Sequence, residues 1–145
     1  MKPLILKLGI PFTIISFALV IKWWYVGIDG PSIQMYGFPL PHASDGLHTS
    51  MSLNIYCFEL IIDLLFYFVI WTIILFLINR FLKKIHPLKG VTLSLWVLTI
   101  LIIVGSTCIA FLPNNRLHWK RDLDFVIKDS GFKFIWQNRA EPELE

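Results

Sequence analysis

Charge is scarce in this chain: Asp, Glu, Lys and Arg make up 16% of its 145 residues, against roughly 25% in a soluble domain. What charge exists gathers at Met1–Lys7, Arg80–Lys89 and Arg116–Glu145, the flanks of long apolar runs. Cysteine is limited to Cys57 and Cys108, with no C-x-x-C and no Cys/His cluster, so a zinc or thiol-redox motif is not supported. Neither G-x-x-x-x-G-K-[ST] nor G-x-G-x-x-G occurs, and H-E-x-x-H and G-x-S-x-G are missing as well. Nucleotide binding, zincin chemistry and serine-hydrolase chemistry therefore have no motif to rest on. No histidine falls inside an expected membrane span, and His86 and His118 only flank one. No metal and no cofactor, haem included, is expected.

What the chain has in excess is apolar residues, 56% of the total against about 45–50% in soluble proteins. The length allows one domain, expected to be a single membrane domain over residues 1–145. Its first run covers about Leu4–Ile28. Lys2 and Lys7 precede the uncharged stretch Leu8–Ile21, and Lys22-Trp23-Trp24-Tyr25 follows it. A signal peptide would start this way, but no small-x-small cleavage site follows. The run reads as an uncleaved first span, with the aromatics as an interfacial belt and Lys22 snorkelling toward headgroups. A second run, Ile55–Leu82, and a third, Val91–Leu112, complete three expected spans; the third has no charge and is stopped by Pro113-Asn114-Asn115. The stretch Asp29–Asn54 carries Gly30-Pro31, Gly37, Pro39, Pro41 and Gly46 and reads as an irregular loop. Ile33, Met35, Tyr36, Phe38 and Leu40 make that loop apolar enough to pack on the membrane or a partner. In the tail, 113–145, Asp129-Ser130-Gly131 lies between Leu123–Lys128 and Phe132–Trp136. That pattern predicts either a small hairpin or an amphipathic segment on the bilayer. The fold class expected is an all-α integral membrane protein: three transmembrane helices, a structured extracytoplasmic loop and a short carboxy-terminal tail.

Arg80, Lys83, Lys84 and Lys89 form a basic knot between two apolar runs. Elsewhere such a knot suggests nucleic acid; with membrane on both sides, positive-inside topology explains it better. The amino terminus and the knot are then cytoplasmic, and no nucleic-acid partner is expected. Arg116, Lys120 and Arg121, close behind the third run, pull against this orientation.

Glu59 and Asp63 stand four residues apart inside the second run. A carboxylate at membrane depth is costly and faces a partner, a cavity or a pathway. If Ile55–Leu82 is one helix, Ser52, Tyr56, Glu59, Asp63 and Tyr67 fall within one arc of about 80 degrees. Two acids at this spacing repel when both are ionised, so they could share a proton. The alternatives are structural pairing, with Lys22 as a candidate partner for either acid, or contact with another subunit. Gly9, Thr13 and Ser16, and Thr92, Thr99 and Ser106, form small-residue stripes suited to close helix packing. In the loop, His42 and His48 flank Asp45, a spacing too unspecific for a metal site, and Ser44, Thr49, Ser50 and Ser52 lie nearby without a nucleophile motif. Cys57 and Cys108 are expected as free thiols, with a disulfide as the alternative.

Tyr36-Gly37-Phe38-Pro39-Leu40-Pro41 followed by Ile62-Asp63-Leu64-Leu65-Phe66-Tyr67-Phe68 resembles small bacterial multi-pass inner-membrane proteins of unassigned function that carry a Y-G-F-P-x-P loop before a long helix. The resemblance covers Tyr36–Phe68 and implies a bacterial inner-membrane setting; it brings no catalytic residue. The leading expectation is a non-enzymatic accessory or assembly subunit of a larger membrane complex. Its partners are the bilayer and other integral membrane proteins, with Tyr36, Phe38, Pro39, Pro41, Trp119 and Trp136 as contact candidates. The alternative is an oligomeric proton- or cation-coupled transporter or channel using Glu59 and Asp63, with Tyr56, Tyr67 and Lys22 around them. A membrane enzyme built on His42, Asp45 and His48 comes last.

Overall fold

The computed structural model describes residues 4–27, 32–46, 52–82, 88–121 and 126–134. Their architecture overturns the all-α expectation: six strands form one mixed sheet, and the chain also forms three helices. Helix α1 covers Ile5–Leu19, α2 covers Cys57–Leu77 and continues as a π-type turn over Ile78–Leu82, and α3 covers Lys89–Ala110. The strands are β1 Val20–Gly27, β2 Ser32–Tyr36, β3 Ala43–Asp45, β4 Leu53–Tyr56, β5 Arg116–His118 and β6 Val126–Phe134. Their order across the sheet is β5-β4-β3-β2-β1-β6. All neighbours are antiparallel except β4 and β5, which run parallel. The chain divides into a helical unit, Met1–Ala18 with Leu64–Phe111, and a sheet unit, Leu19–Asp63 with Leu112–Glu145.

The first expected span is cut short because the helix stops at Leu19. From Val20 the sequence is V-I-K-W-W-Y-V-G, rich in the β-branched and aromatic side chains that pack well on a pleated sheet. Trp23, Trp24 and Tyr25 are therefore strand residues pairing with β2 and β6. The expected irregular loop contains β2 and β3. In β2, Ile33 and Met35 are buried while Gln34 and Tyr36 are only half-buried, the period-two alternation of a strand with one covered face. The second helix begins at Cys57, with Ile55 and Tyr56 in β4. Ser52 and Tyr56 thus precede the helix, and the five-residue polar arc reduces to Glu59, Asp63 and Tyr67.

The tail holds neither the hairpin nor a surface helix among its described residues. Asp129, Ser130 and Gly131 run through the middle of β6. Gly131 lies opposite Trp23, and a Cβ there would come within 2.7 Å of the indole. The glycine makes room for a cross-strand ring rather than for a turn. The register shifts between Tyr25 and Val26, so Lys128 is the extra residue of a bulge.

In the helical unit, Leu4, Leu8 and Leu75 are buried together, with Phe12 and Leu95 packed on them. Pro11 cannot donate to the preceding turn, and the π-type turn Ile5–Gly9 directly before it widens that turn. Trp71 stacks on Phe12 at 4.8 Å and donates its indole N–H to Ser16 Oγ at 2.7 Å. Cys57–Phe81 and Lys89–Ala110 are long and apolar enough to cross a membrane, and only 6% of α3's apolar window is buried. At 1.5 Å per residue, α1 reaches about 22 Å, short of the roughly 30 Å hydrocarbon core.

The sheet unit has its own core: Val26, Ile33, Met35 and Tyr56, with Trp24 against them. Val26 faces Ile33 and Trp24 faces Met35 across β1 and β2, so directly opposed pairs build it.

Candidate functional site

The connection from β2 to β3 is tied down by the backbone. His42 N–H donates to Tyr36 O at 2.9 Å, and Tyr56 N–H donates to His42 O at 2.8 Å. Gly37 N–H donates to Lys22 O at 2.9 Å, and Gly37 O accepts the Trp24 indole N–H at 2.9 Å. Within this loop the Phe38–Pro39 peptide is cis, and Gly37 has φ of 141°, a conformation open to glycine alone at low cost. A Cβ on Gly37 would lie 2.6 Å from His42 Nδ1 and would also strike Leu40 O.

The room left by Gly37 lets His42 reach Asp63. Asp63 sits in the second turn of α2 and is fully buried. Its Oδ1 accepts Leu40 N–H at 2.9 Å, and its Oδ2 lies 2.7 Å from His42 Nδ1. With Asp63 ionised, its carboxylate can only accept, and His42 Nδ1–H is then the donor. Chemically this arrangement orients an imidazole and fastens a loop to the start of a helix; both carboxylate oxygens are engaged in doing so.

Glu59, one turn earlier, is buried differently. It is 6% exposed, and its Oε1 accepts Arg121 N–H at 3.4 Å, a long contact, while Oε2 has no hydrogen-bond partner among the described residues. It lies in the first turn of α2. Two backbone carbonyls from distant segments accept N–H groups at this helix start: His42 O takes Tyr56 N–H and Trp119 O takes Phe58 N–H at 3.0 Å. Glu59 and Asp63 are thus engaged by different segments. Lys22, expected as a partner for either acid, instead holds its ammonium 3.7 Å from the Trp24 ring centroid.

The remaining candidates scatter. Tyr56 is buried, with its hydroxyl 3.2 Å from Ser44 Oγ and its ring 6.0 Å from His118. Tyr67 is in the helical unit, edge-on to Phe17 at 6.0 Å. Tyr36 donates to Gln34 Oε1 at 3.0 Å and reaches Asp45 Oδ2 at 3.4 Å. Phe38 meets Phe132 edge-on at 5.3 Å, Pro39 is half-buried and Pro41 buried, and Trp119 is 72% exposed. Trp136 and His48 lie outside the described residues, as do Gly30, Pro31, Thr49, Ser50, Lys83 and Lys84. Cys57 and Cys108 are free thiols. Among the described residues no three His, Cys, Asp or Glu gather to hold a metal.

Sequence reasoning placed His42 with Asp45 and missed Asp63 as its partner. The usable signal was Gly37: a glycine between Tyr36 and the Phe-Pro pair marks a backbone that must pass close to something. Comparison of the chain with known protein families, with curated proteins and with solved structures finds no match.

Proposed function

We propose that this chain is a membrane-inserted, non-enzymatic accessory or assembly subunit that presents its sheet unit to another integral membrane protein. The observation that carries this reading is where the apolar surface lies. Helix α3 buries only Thr99 and is apolar around its circumference, a pattern suited to lipid or to neighbouring membrane helices. Asp63 and His42, the most chemical pair of the sheet unit, support the same reading, since both carboxylate oxygens serve the loop.

The setting proposed is the bacterial inner membrane. The chain leaves the sheet at Tyr56, the end of β4, and returns to it at Arg116, the start of β5, which pairs with Asn54 in the parallel β4–β5 ladder. Two crossings, by α2 and α3, would return the chain to the side of the bilayer that it left, with the basic sequence after Arg80 between the crossings. Positive-inside topology makes that connection cytoplasmic.

The test is a mild-detergent pull-down of the tagged full chain, followed by mass spectrometry and native mass determination. Stoichiometric co-purification with other membrane proteins is the expected result; a lone monomer would refute the subunit reading. One observation favours a second reading, an oligomeric proton- or cation-coupled transporter: the buried Glu59 Oε2 without a hydrogen-bond partner among the described residues. A partnerless homo-oligomer whose ion flux disappears in Glu59→Gln would establish it.

A further inference from the structure

Lys22 stands in a ring of aromatic side chains, away from both acids of the second helix. Its Nζ lies 3.7 Å from the Trp24 ring centroid, 5.2 Å from Phe132 and 5.4 Å from Phe38. All three distances are within cation–π range. The cage is fixed from several directions. Lys22 and Phe132 are directly opposed on β1 and β6. Phe132 is braced edge-on by Phe38, and the Trp24 indole is held by its bond to Gly37 O. Among the described residues no carboxylate lies within ion-pair distance of Lys22.

We propose that Lys22 and its aromatic cage form a binding site for the phosphate of an anionic phospholipid headgroup. An ammonium has three N–H donors and no acceptor. The rings attract its charge without accepting a conventional hydrogen bond, so donors remain for an anion. The cage also spares the long side chain part of the rotamer freedom that binding would otherwise remove. Its surroundings suit a lipid rather than a soluble anion. Phe132 is 59% exposed and Phe134 44% exposed, with Leu19 37% exposed beside the start of β1. Lys22 follows the end of the apolar helix α1 by three residues, the position where a cation reaches headgroups from an apolar segment.

The proposal rests on the bilayer placement above and not on the identity of any partner. The full chain is purified in mild detergent, stripped of lipid and titrated with phosphatidylglycerol under native mass spectrometry. Parallel titrations use diacylglycerol with the same acyl chains and inorganic phosphate. One phosphatidylglycerol per chain should be retained, with neither control occupying the site. Lys22→Gln should weaken retention roughly fivefold, the worth of one cation at an anionic surface. Lys22→Arg should preserve retention. Phe132→Leu, at an exposed position, should weaken it as well. Wild-type retention in both Lys22→Gln and Phe132→Leu would overturn the proposal, and so would equal binding of diacylglycerol or displacement of the lipid by free phosphate. Carbonate washing of membranes separates the two levels: release of the chain overturns the bilayer placement together with the lipid site. Retention in the pellet with lipid binding indifferent to Lys22 overturns the site alone.

Discussion

The helical unit and the sheet unit satisfy their polar groups in opposite ways. In the helices the partner is close in sequence. Thr13 donates to Gly9 O at 2.8 Å, Thr99 to Leu95 O at 2.7 Å and Thr107 to Ile103 O at 2.7 Å, each four residues back. Such hydroxyls need no partner from another segment. In the sheet unit the partners come from far along the chain: His42 with Asp63, 21 residues apart, and Leu53 N–H with Asn115 Oδ1, 62 apart. The helices can lose a polar side chain and keep their backbone ladder. In the sheet unit the side-chain acceptors instead tie together segments that lie far apart in the sequence. Ser16 and Trp71, bonded between helices, and Thr72, whose buried hydroxyl has no partner among the described residues, mark the limits of the contrast.

The contrast can be broken most forcefully at Asp63. Replacing it with alanine strands Leu40 N–H and His42, and removing one partner of a buried pair costs about 3–5 kcal/mol. Hydrogen exchange read by mass spectrometry should show the β2–β3 connection and β4 losing protection while α3 keeps it; equal loss in both units would mean that they do not respond separately. Met35→Ala comes next. Met35 is fully buried in the sheet core, and truncating such a side chain costs about 2–5 kcal/mol, measurable as a lower urea midpoint of sheet-peptide protection. Gly37→Ala should cost roughly 1–3 kcal/mol from backbone strain alone, plus the displacement of His42; the imidazole resonances should shift, and an unchanged spectrum would remove Gly37 from the site. The smallest effect belongs to the helices. Thr107→Val deletes an exposed hydroxyl bonded to its own helix and should alter thermal stability in detergent by no more than about 0.5 kcal/mol.

The same contrast explains what could be read in advance. The cores of α2 and α3 were legible to within a few residues because an apolar run and a self-contained hydrogen-bond ladder are both local properties. Strand β1 was lost inside the first expected span: V-I-K-W-W-Y-V is apolar enough to extend a helix, and its β-branched and aromatic content was the overlooked signal. At β6, Asp-Ser-Gly imitates a turn, and only the Trp23 ring across the strand reveals why glycine is there. Glu59 and Asp63 were recognised as buried acids. Their partners were not, since helical spacing makes an i+4 neighbour visible and leaves a loop histidine hidden. The Lys22 cage joins residues from β1, the β2–β3 connection and β6, which no single stretch of sequence displays.

The order of strands in the sheet also sets a timetable for synthesis. Strands β1 to β4 occupy the first part of the chain and can pair as soon as Tyr56 has been made. The outer neighbours, β5 on β4 and β6 on β1, are made only after α2 and α3. Until then β1 presents an open edge of aromatic and branched side chains, the kind of edge that recruits foreign strands. Domains whose pairing waits on distant sequence are exposed to misassembly during that wait. A nascent chain halted after α3 should therefore depend on chaperones or neighbours far more than the finished one, and β6 is the strand that ends the dependence.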